Sequence, residues 1–495
     1  MVLVLLHSDG ESKFYFRGRT KYVKMTYRLG IIIVSFGFLG GGFHLAAQDD
    51  HLANEAFRIK SLYETALRSG QSYIWLRDMA MLAGHRLTGS EGAAVAVEYA
   101  KQVLDTLGLD SVWLQPCKVP RWTRGEKEIV RIRNSSSMGT VELHALALGN
   151  SVGSGPHGVE AEVIEVLNLD SLRLMPESQV RGKIVFFNRP MDETLINTFH
   201  AYGRAVDQRW AGPKVAAGKG AVGAIVRSMT TSMDDIPHTG STEYSLTGSN
   251  IPAVAISTHD AELLGNLLER ETVRLYIRTT CMMLDSVISH NVIGQIKGQG
   301  RPDEIILVGG HLDSWDVGHG AHDDGSGCMQ AMDVMYLLRI SGYVPQRTIR
   351  CVLFMNEENG LAGAKAYAEN SNKAGEFHLA AIESDAGGFR PLGFGCSSQS
   401  PLQEAYLRSV NTWWNLLEPY GLMLSPGGGG ADIGPLRSQG GMLFGMRVDS
   451  QRYFDYHHTH EDTIDKVHPR ELKIGAAAMA SLVTLLDSFA VRVYE

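Results

Sequence analysis

Cysteine is scarce in this chain, with five in 495 residues. That is too few for a disulfide framework, and the odd count leaves at least one thiol unpaired unless it bridges between chains. Positive charge is not in excess either. Lys plus Arg number 46 against 54 Asp plus Glu, a formal net charge of −8, which excludes a typical phosphate-backbone binder and leaves no nucleic-acid partner to expect. The N-terminal apolar run, Leu29 to Phe43, falls short of the roughly 20 residues a membrane anchor needs, and Gly40-Gly41-Gly42 weakens it further. No Gly-x-Ser-x-Gly elbow lies near the acidic segments described below, so a serine nucleophile is unsupported. The Gly427–Gly430 run has no Lys-Ser/Thr pair after it, which makes a phosphate cradle a weak reading. Internal repeats and low-complexity tracts are absent.

What remains is a globular composition, 44% apolar and 20% charged, suited to two or three domains. Glycine is the outlier, at 54 residues where average usage gives about 35. The Leu29–Phe43 run follows Lys21, Lys24 and Arg28 and leads into Leu45-Ala46-Ala47. A basic start, a short apolar stretch and small residues at its end read as a secretory signal peptide over residues 25–47. Residues 1–24 then read as an upstream mis-start before Met25. The expected product is secreted or periplasmic, with no stable membrane anchor after cleavage.

Texture divides the rest. Residues 54–109 carry helical periodicity, and Glu91 to Leu107 reads as an amphipathic helix with Ser90 as N-cap. Residues 119–285 read as short strands interleaved with short helices. From about Asn291 strands and helices alternate, which predicts a largely parallel or mixed sheet covered on both faces. Expected strands are 304–308, 348–354, 380–383 and 441–448. Expected helices are 327–340, 360–368, 400–415 and 470–486. The middle block is therefore a domain inserted into, or laid against, a single α/β domain.

Four chemistry-bearing segments occur in this last region. Gly309-Gly310-His311-Leu312-Asp313 and Gly320-Ala321-His322-Asp323-Asp324-Gly325 follow the first strand. Met355-Asn356-Glu357-Glu358 follows the second, and Ser384-Asp385 the third. His457-His458-Thr459-His460-Glu461-Asp462-Thr463 lies near the C-terminus. Ligands of open α/β sheets bind beyond the carboxyl ends of strands, so these side chains are placed to converge. Any one acidic loop is usually just solvated surface, and a His-rich stretch can be a satisfied surface cluster. Four such segments in order are harder to dismiss. Imidazoles and carboxylates without thiolates suit zinc, and the set exceeds one tetrahedral ion. It matches two metals about 3.5–4 Å apart that acidify a water. Glu357-Glu358 can divide metal binding from proton transfer.

These motifs resemble those of the co-catalytic zinc aminopeptidase/glutamate-carboxypeptidase family. The likeness runs from Arg86-Leu87-Thr88-Gly89-Ser90 to Asp462-Thr463 and includes Gly182-Lys183-Ile184-Val185 and Pro237-His238-Thr239-Gly240-Ser241-Thr242-Glu243-Tyr244. The resemblance implies a mixed-sheet α/β zinc-exopeptidase catalytic domain with an inserted protease-associated domain. Its parts would be residues 48–118 and 286–495 for the catalytic domain and 119–285 for the insertion. It implies two zinc ions per chain. His311 and Asp385 would hold one, Glu358 and His458 the other, and Asp323 would bridge both. Glu357 would be the general base and then acid, and Asp313 a carboxylate orienting the His311 imidazole. His457, His460, His319 and His322 would not be ligands. A cis peptide is implied after Asp323. Gly430 and Asp432 would border the substrate pocket, and the Pro237–Tyr244 segment would form a lid or subunit contact. The activity implied is hydrolysis of short peptides, dipeptides above all, by a homodimer. Alternatives are a broad aminopeptidase of the same family, a glutaminyl cyclase with one zinc, or a non-catalytic receptor-like relative. The presence of all five ligand positions and the base disfavours the last two.

Overall fold

Strands covered on both faces need apolar side chains at nearly every position, and the C-terminal half of the chain supplies them. A computed structural model describes residues 6–8, 11–13, 39–244 and 250–493. The chain divides into two units, Met1–Ala53 and Asn54–Glu495. In the first, Leu6–Ser8 pairs antiparallel with Glu11–Lys13. Most of the expected signal segment lies outside the described residues, and residues 39–47 begin the helix Leu39–Ser69.

The main sheet of the second unit has eight strands. They are β1 (Ser111–Thr123), β2 (Met282–Ile296), β3 (Arg301–His311), β4 (Arg347–Phe354), β5 (Phe377–Glu383), β6 (Pro391–Ser397), β7 (Met423–Pro426) and β8 (Met442–Val448). Their spatial order is β7-β6-β8-β5-β3-β4-β2-β1. The central four, β4-β3-β5-β8, are parallel. β2 runs antiparallel to β4 and β6 antiparallel to β8, which makes the sheet mixed.

Alternate side chains of the central strands face opposite ways. Ile306, Val308, Ala380 and Ile382 pack with Met329 and Met332 of helix Ser326–Ile340 and Leu482 and Leu485 of helix Pro469–Phe489. Leu307, Val352, Ala381 and Leu443 pack instead with Ala364, Tyr367 and Ala368 of helix Ala362–Ala374. Each such burial is worth about 1.5–3 kcal/mol. The Pro469–Phe489 helix is long and apolar enough to cross a membrane, yet it is mostly buried in this core.

Expected strands 304–308, 348–354 and 380–383 lie within β3, β4 and β5, and 441–448 matches β8 but for its first residue. The helix after Ser90 runs Glu91–Thr106, with Ser90 Oγ accepting the Ala93 N–H at 3.1 Å. The helix expected from residue 360 begins at Ala362. Leu361 before it is left-handed (φ 60°), and Asn356 Oδ1 takes the Ala362 N–H at 3.1 Å. The helix expected over 400–415 ends at Asn411.

A second eight-stranded sheet draws all its strands from residues 129–278. Val130, Ile132, Ile184, Phe186, Ile225, Val254 and Ile277 share its core with Trp122 and Trp315. Positions 119 and 285, where the sequence texture changes, fall inside β1 and β2. Those two strands pair antiparallel from Ser111 with Gln295 to Thr123 with Met282, with a bulge between Leu284 and Val287. All five cysteines are free and buried.

Candidate active site

The carboxyl ends of the parallel strands deliver the reactive side chains. β3 ends on His311. β4 runs on to Glu357 and Glu358, β5 to Asp385, and the chain after β8 returns as His457-His458. Asp323 lies between β3 and the helix Ser326–Ile340, and the Asp323–Asp324 peptide is cis.

Two groups of potential ligands share Asp323: His311, Asp323 and Asp385, and Asp323, His457 and His458. His311 Nε2 lies 3.2 Å from Asp323 Oδ1 and 3.6 Å from Asp385 Oδ1. His458 Nε2 lies 3.2 Å from Asp323 Oδ2 and 3.1 Å from Glu358 Oε2. His457 Nε2 also reaches Asp323 Oδ2, at 3.6 Å, and its ring stacks on His458 with centroids 3.5 Å apart. His322 is turned away, stacked between Phe389 and Tyr456.

The charges here are strongly coupled. Burial works against protonation of both imidazoles, but the carboxylates prevail. Asp323 and Asp385 hold His311 well above the ordinary histidine value, and Glu358 and Asp323 lift His458 to about 9. Burial pushes Asp323 up, yet its bonds to the two imidazoles take it well below the ordinary carboxylate range. Burial raises Glu357 well above that range, with Asp385, Glu358 and Asp313 adding to it. Burial, then Asp323, raises Glu358 to about 7. The carboxylates thus set up a field at this place that favours a cation.

Asp313 differs from its expected part. His311 Nδ1 bonds the Asp313 main-chain carbonyl at 3.0 Å, while the nearer carboxylate oxygen is 3.8 Å away. The carboxylate instead accepts the main-chain N–H groups of Asn356, Glu357 and Glu358 at 2.6, 3.0 and 3.3 Å, and the Thr88 hydroxyl at 2.9 Å. It therefore fixes the turn that carries Glu357 and Glu358. Asp462 acts likewise on the other side, accepting the N–H groups of His322 and Asp323 at 2.7 and 3.0 Å. Asp324 Oδ2 takes the His311 N–H at 3.0 Å. Arg86, fully buried, donates to the carbonyls of Leu312 and Gly320 at 2.7 and 2.9 Å.

The Pro237–Tyr244 segment is a support for the site rather than a lid alone. The Thr239 N–H donates to the His458 carbonyl at 3.0 Å, and the Thr239 carbonyl lies 3.3 Å from His458 Nδ1. His238 Nδ1 is 2.9 Å from the His457 carbonyl. These contacts hold His458 in a left-handed conformation, φ 63°, which costs about 1–3 kcal/mol for a residue with a Cβ. Arg209 packs behind, its guanidinium on the Tyr202 hydroxyl at 2.7 Å and the Thr239 carbonyl at 3.5 Å. The quoted motif was the only sequence signal for this support, and nothing in its spacing points at His458.

A cavity of about 540 Å³ opens onto Asp323, Glu357, Glu358, Asp385, His457 and His458, walled by Phe199, Tyr202, Trp210 and Tyr453. A second, of about 360 Å³, shares Phe199 and Asp385 with it and is lined by Gly428, Gly429, Gly430 and Arg447. Gly430 lines this second cavity. Asp432 does not: it is 1% exposed, with neither carboxylate oxygen hydrogen-bonded. Burial and the Glu383 carboxylate hold it well above the ordinary range.

A mixed sheet with paired ligand groups at its carboxyl edge defines a class, and sequence comparison agrees. The model of Peptidase family M28 matches residues 291–483, and the chain belongs to that family of hydrolases. Among its relatives is carboxypeptidase Q of Bos taurus, 31% identical over 87% of this chain and 88% of that one. Carboxypeptidase Q of Homo sapiens is 33% identical over 83% and 84%. Among solved structures, a peptidase M28 precursor from Shewanella amazonensis superimposes with a TM-score of 0.84. It is 32% identical, covering 90% of this chain and 99% of the other.

The Thr239 contact makes a direct prediction. A Cβ on Gly240 would fall 2.4 Å from Arg209 Cζ and 2.7 Å from His458 Nδ1, at φ +131°. Gly240→Ala is expected to displace His458 and lower peptidase kcat/KM by about 10²-fold, the scale of a 1 Å misplacement. Steady-state assay beside a thermal melt checks it; a soluble, folded variant with native turnover would show that His458 is not held there.

Proposed function

We propose that this chain is an exported di-zinc exopeptidase that hydrolyses short peptides, dipeptides in particular, with Glu357 as general base and then acid. The observation that carries the reading is the pair of ligand groups sharing Asp323 in the cavity that Glu357 lines. His311 and Asp385 would hold one zinc, Glu358 and His458 the other, and Asp323 both. The donor set, imidazole and carboxylate without thiolate, suits that metal. Glu358 Oε1 fits it too, being buried with no hydrogen-bond partner. Bound there, zinc would polarise the scissile carbonyl and acidify a water.

Between the two adjacent histidines, the surroundings favour His458 as the ligand. The Thr239 carbonyl, 3.3 Å from its Nδ1 and nearer than Arg209 Nη1 at 3.5 Å, would accept an N–H there and leave the Nε2 lone pair for a metal, whereas His457 Nδ1 has no hydrogen-bond partner. Glu357 faces the same cavity on the turn held by Asp313. Its raised proton affinity lets it take a proton during attack and return one to the leaving amine. The aromatic wall of Phe199, Tyr202, Trp210 and Tyr453 suits an apolar substrate side chain.

The organisation proposed is a catalytic domain, 48–118 and 286–495, interrupted by a protease-associated domain at 119–285. The separate sheet of residues 129–278 supports it. Export rests on the composition of residues 25–47. A panel of dipeptides and longer peptides with free and blocked termini, with chelator and with added zinc, tests the whole reading. Zinc-dependent cleavage of free dipeptides is expected. Cleavage of long peptides that requires only a free N-terminus would make it a broad aminopeptidase instead.

A further inference from the structure

The second cavity holds a cation that the mechanism does not use. Arg447 lies on β8 and lines this cavity beside Asp385. Two other arginines of the main sheet are committed: Arg347 pairs with Glu304 and Arg350 with Glu376. Arg209 and Lys365 of the larger cavity are spent on protein oxygens, Arg209 on the Tyr202 hydroxyl and Lys365 on the Gly360 carbonyl at 2.8 Å. Among the described residues, no carboxylate pairs with Arg447.

Its place is also built for it. The Arg447 side chain lies over glycine backbone on the neighbouring strand and loop. A Cβ on Gly395 would meet Arg447 Nε and a terminal nitrogen at 3.0 Å, and one on Gly428 would come within 3.8 Å of the guanidinium. Gly427, Gly428 and Gly429 all have positive φ, between 81° and 102°, so the loop holds a shape that residues with a Cβ rarely adopt. The result is a charged fork over a flat glycine floor, opening on the cavity that meets the reactive one at Asp385.

We infer that Arg447 receives the terminal carboxylate of the peptide substrate, and so sets the preference for a free C-terminus; this rests on the short-peptide reading above. The cations of the larger cavity, Arg209 and Lys365, are held by protein oxygens, whereas Arg447 of the second has no ion pair among the described residues, although Glu383 and Asp385, the latter a proposed zinc ligand, also line it. The larger cavity presents Asp323, Glu357 and Glu358, which repel a carboxylate. A short peptide whose scissile bond lies near Asp385 places its carboxylate in the second cavity. There a guanidinium matches it with two parallel N–H···O bonds.

The test compares Ala-Leu with its C-terminal amide, using zinc-loaded enzyme. Wild type is expected to favour the free acid. Arg447→Met should lower kcat/KM on Ala-Leu by about 10–100-fold, the worth of a charged hydrogen bond, mostly through KM. The acid-to-amide ratio should collapse toward one, and Arg447→Lys should recover part of it. An unchanged ratio in a variant that still turns over the acid overturns the inference while leaving the short-peptide reading intact. Equal losses on acid and amide also overturn it, since they mark a structural role. A substrate such as Ala-Glu amide separates the sources of carboxylate: selective loss there points to side-chain recognition and overturns the terminal assignment. Calorimetric binding of Ala-Leu to zinc-loaded Glu357→Gln, with and without Arg447→Met, reads the contact without turnover. Equal binding overturns the inference even if wild type cleaves no peptide, the result that would sink the parent reading.

Discussion

Glu357→Gln is expected to lower kcat by about 10²–10⁴ while leaving the metal content of the enzyme unchanged. The carboxamide has nearly the same volume and can still meet the cavity, but it can neither accept a proton nor return one. The turn that carries residue 357 is held through main-chain N–H groups on the Asp313 carboxylate, so the substitution does not disturb Glu358 beside it. KM should therefore change little. Asp313→Asn offers the contrast. It weakens the acceptor for three N–H groups at once, so both Glu357 and Glu358 lose their support, and metal content should fall along with kcat. Metal analysis and steady-state kinetics on the two variants separate the roles. Near-normal turnover in Glu357→Gln would remove it as the base.

Much of this was legible in the chain because the strands concerned are simple. β3, β4, β5 and β8 each carry an apolar run, Ile305–Val308, Cys351–Phe354, Leu379–Ile382 and Met442–Phe444, and the reactive polar residues follow, so strand ends and candidate ligands could be read together. Asp323 stands at the junction of both groups and Glu358 lies beside His458, the residues to which the family resemblance gives ligand roles. What could not be read was contact between distant segments. The Asp313 carboxylate turned from His311 to the 356–358 turn because the main-chain carbonyl of the same residue already meets Nδ1. Thr239 and Arg209 reach His458 across more than 200 positions of sequence, and no periodicity encodes such a reach. Only the resemblance of its loop places Asp432 at the pocket. Its side chain turns inward beside Glu383, and burial raises its proton affinity. The texture changes at 119 and 285 fall within β1 and β2, which pair as one antiparallel ribbon across them, a pairing that composition does not encode.

Removing zinc should make the protein's stability fall as pH rises, and restoring zinc should reverse the trend. In the metal-free fold burial raises Glu358, Glu383 and Asp462 each to about 7, whereas unfolded carboxyls titrate near 4. Between about pH 4 and pH 7 the folded chain thus binds more protons than the unfolded one, so stability declines through that window. The penalty is absent below pH 4 and complete above pH 7. His458 acts in the same direction at higher pH. Its value of about 9 exceeds the unfolded value of about 6.5, so its contribution is full below 6.5 and lost toward 9. Asp323, held well below the ordinary range, acts oppositely, but only as pH drops below about 4. His238, His322 and His378, which burial lowers to about 3, about 4 and about 4, offset part of the decline up to about pH 6.5. Zinc needs its carboxylates ionised and its imidazoles neutral, so its binding strengthens as these protons leave. At free zinc 1,000 times its dissociation constant, each site adds about 4.1 kcal/mol. Melts of chelated and zinc-loaded protein at pH 5 and pH 8 check this. The chelated Tm should be lower at pH 8, and the rise on adding zinc larger there, with peptidase activity following the zinc. A zinc shift equal at both values, or a chelated form most stable at pH 8, would mean that Glu358 and His458 are not the groups zinc engages.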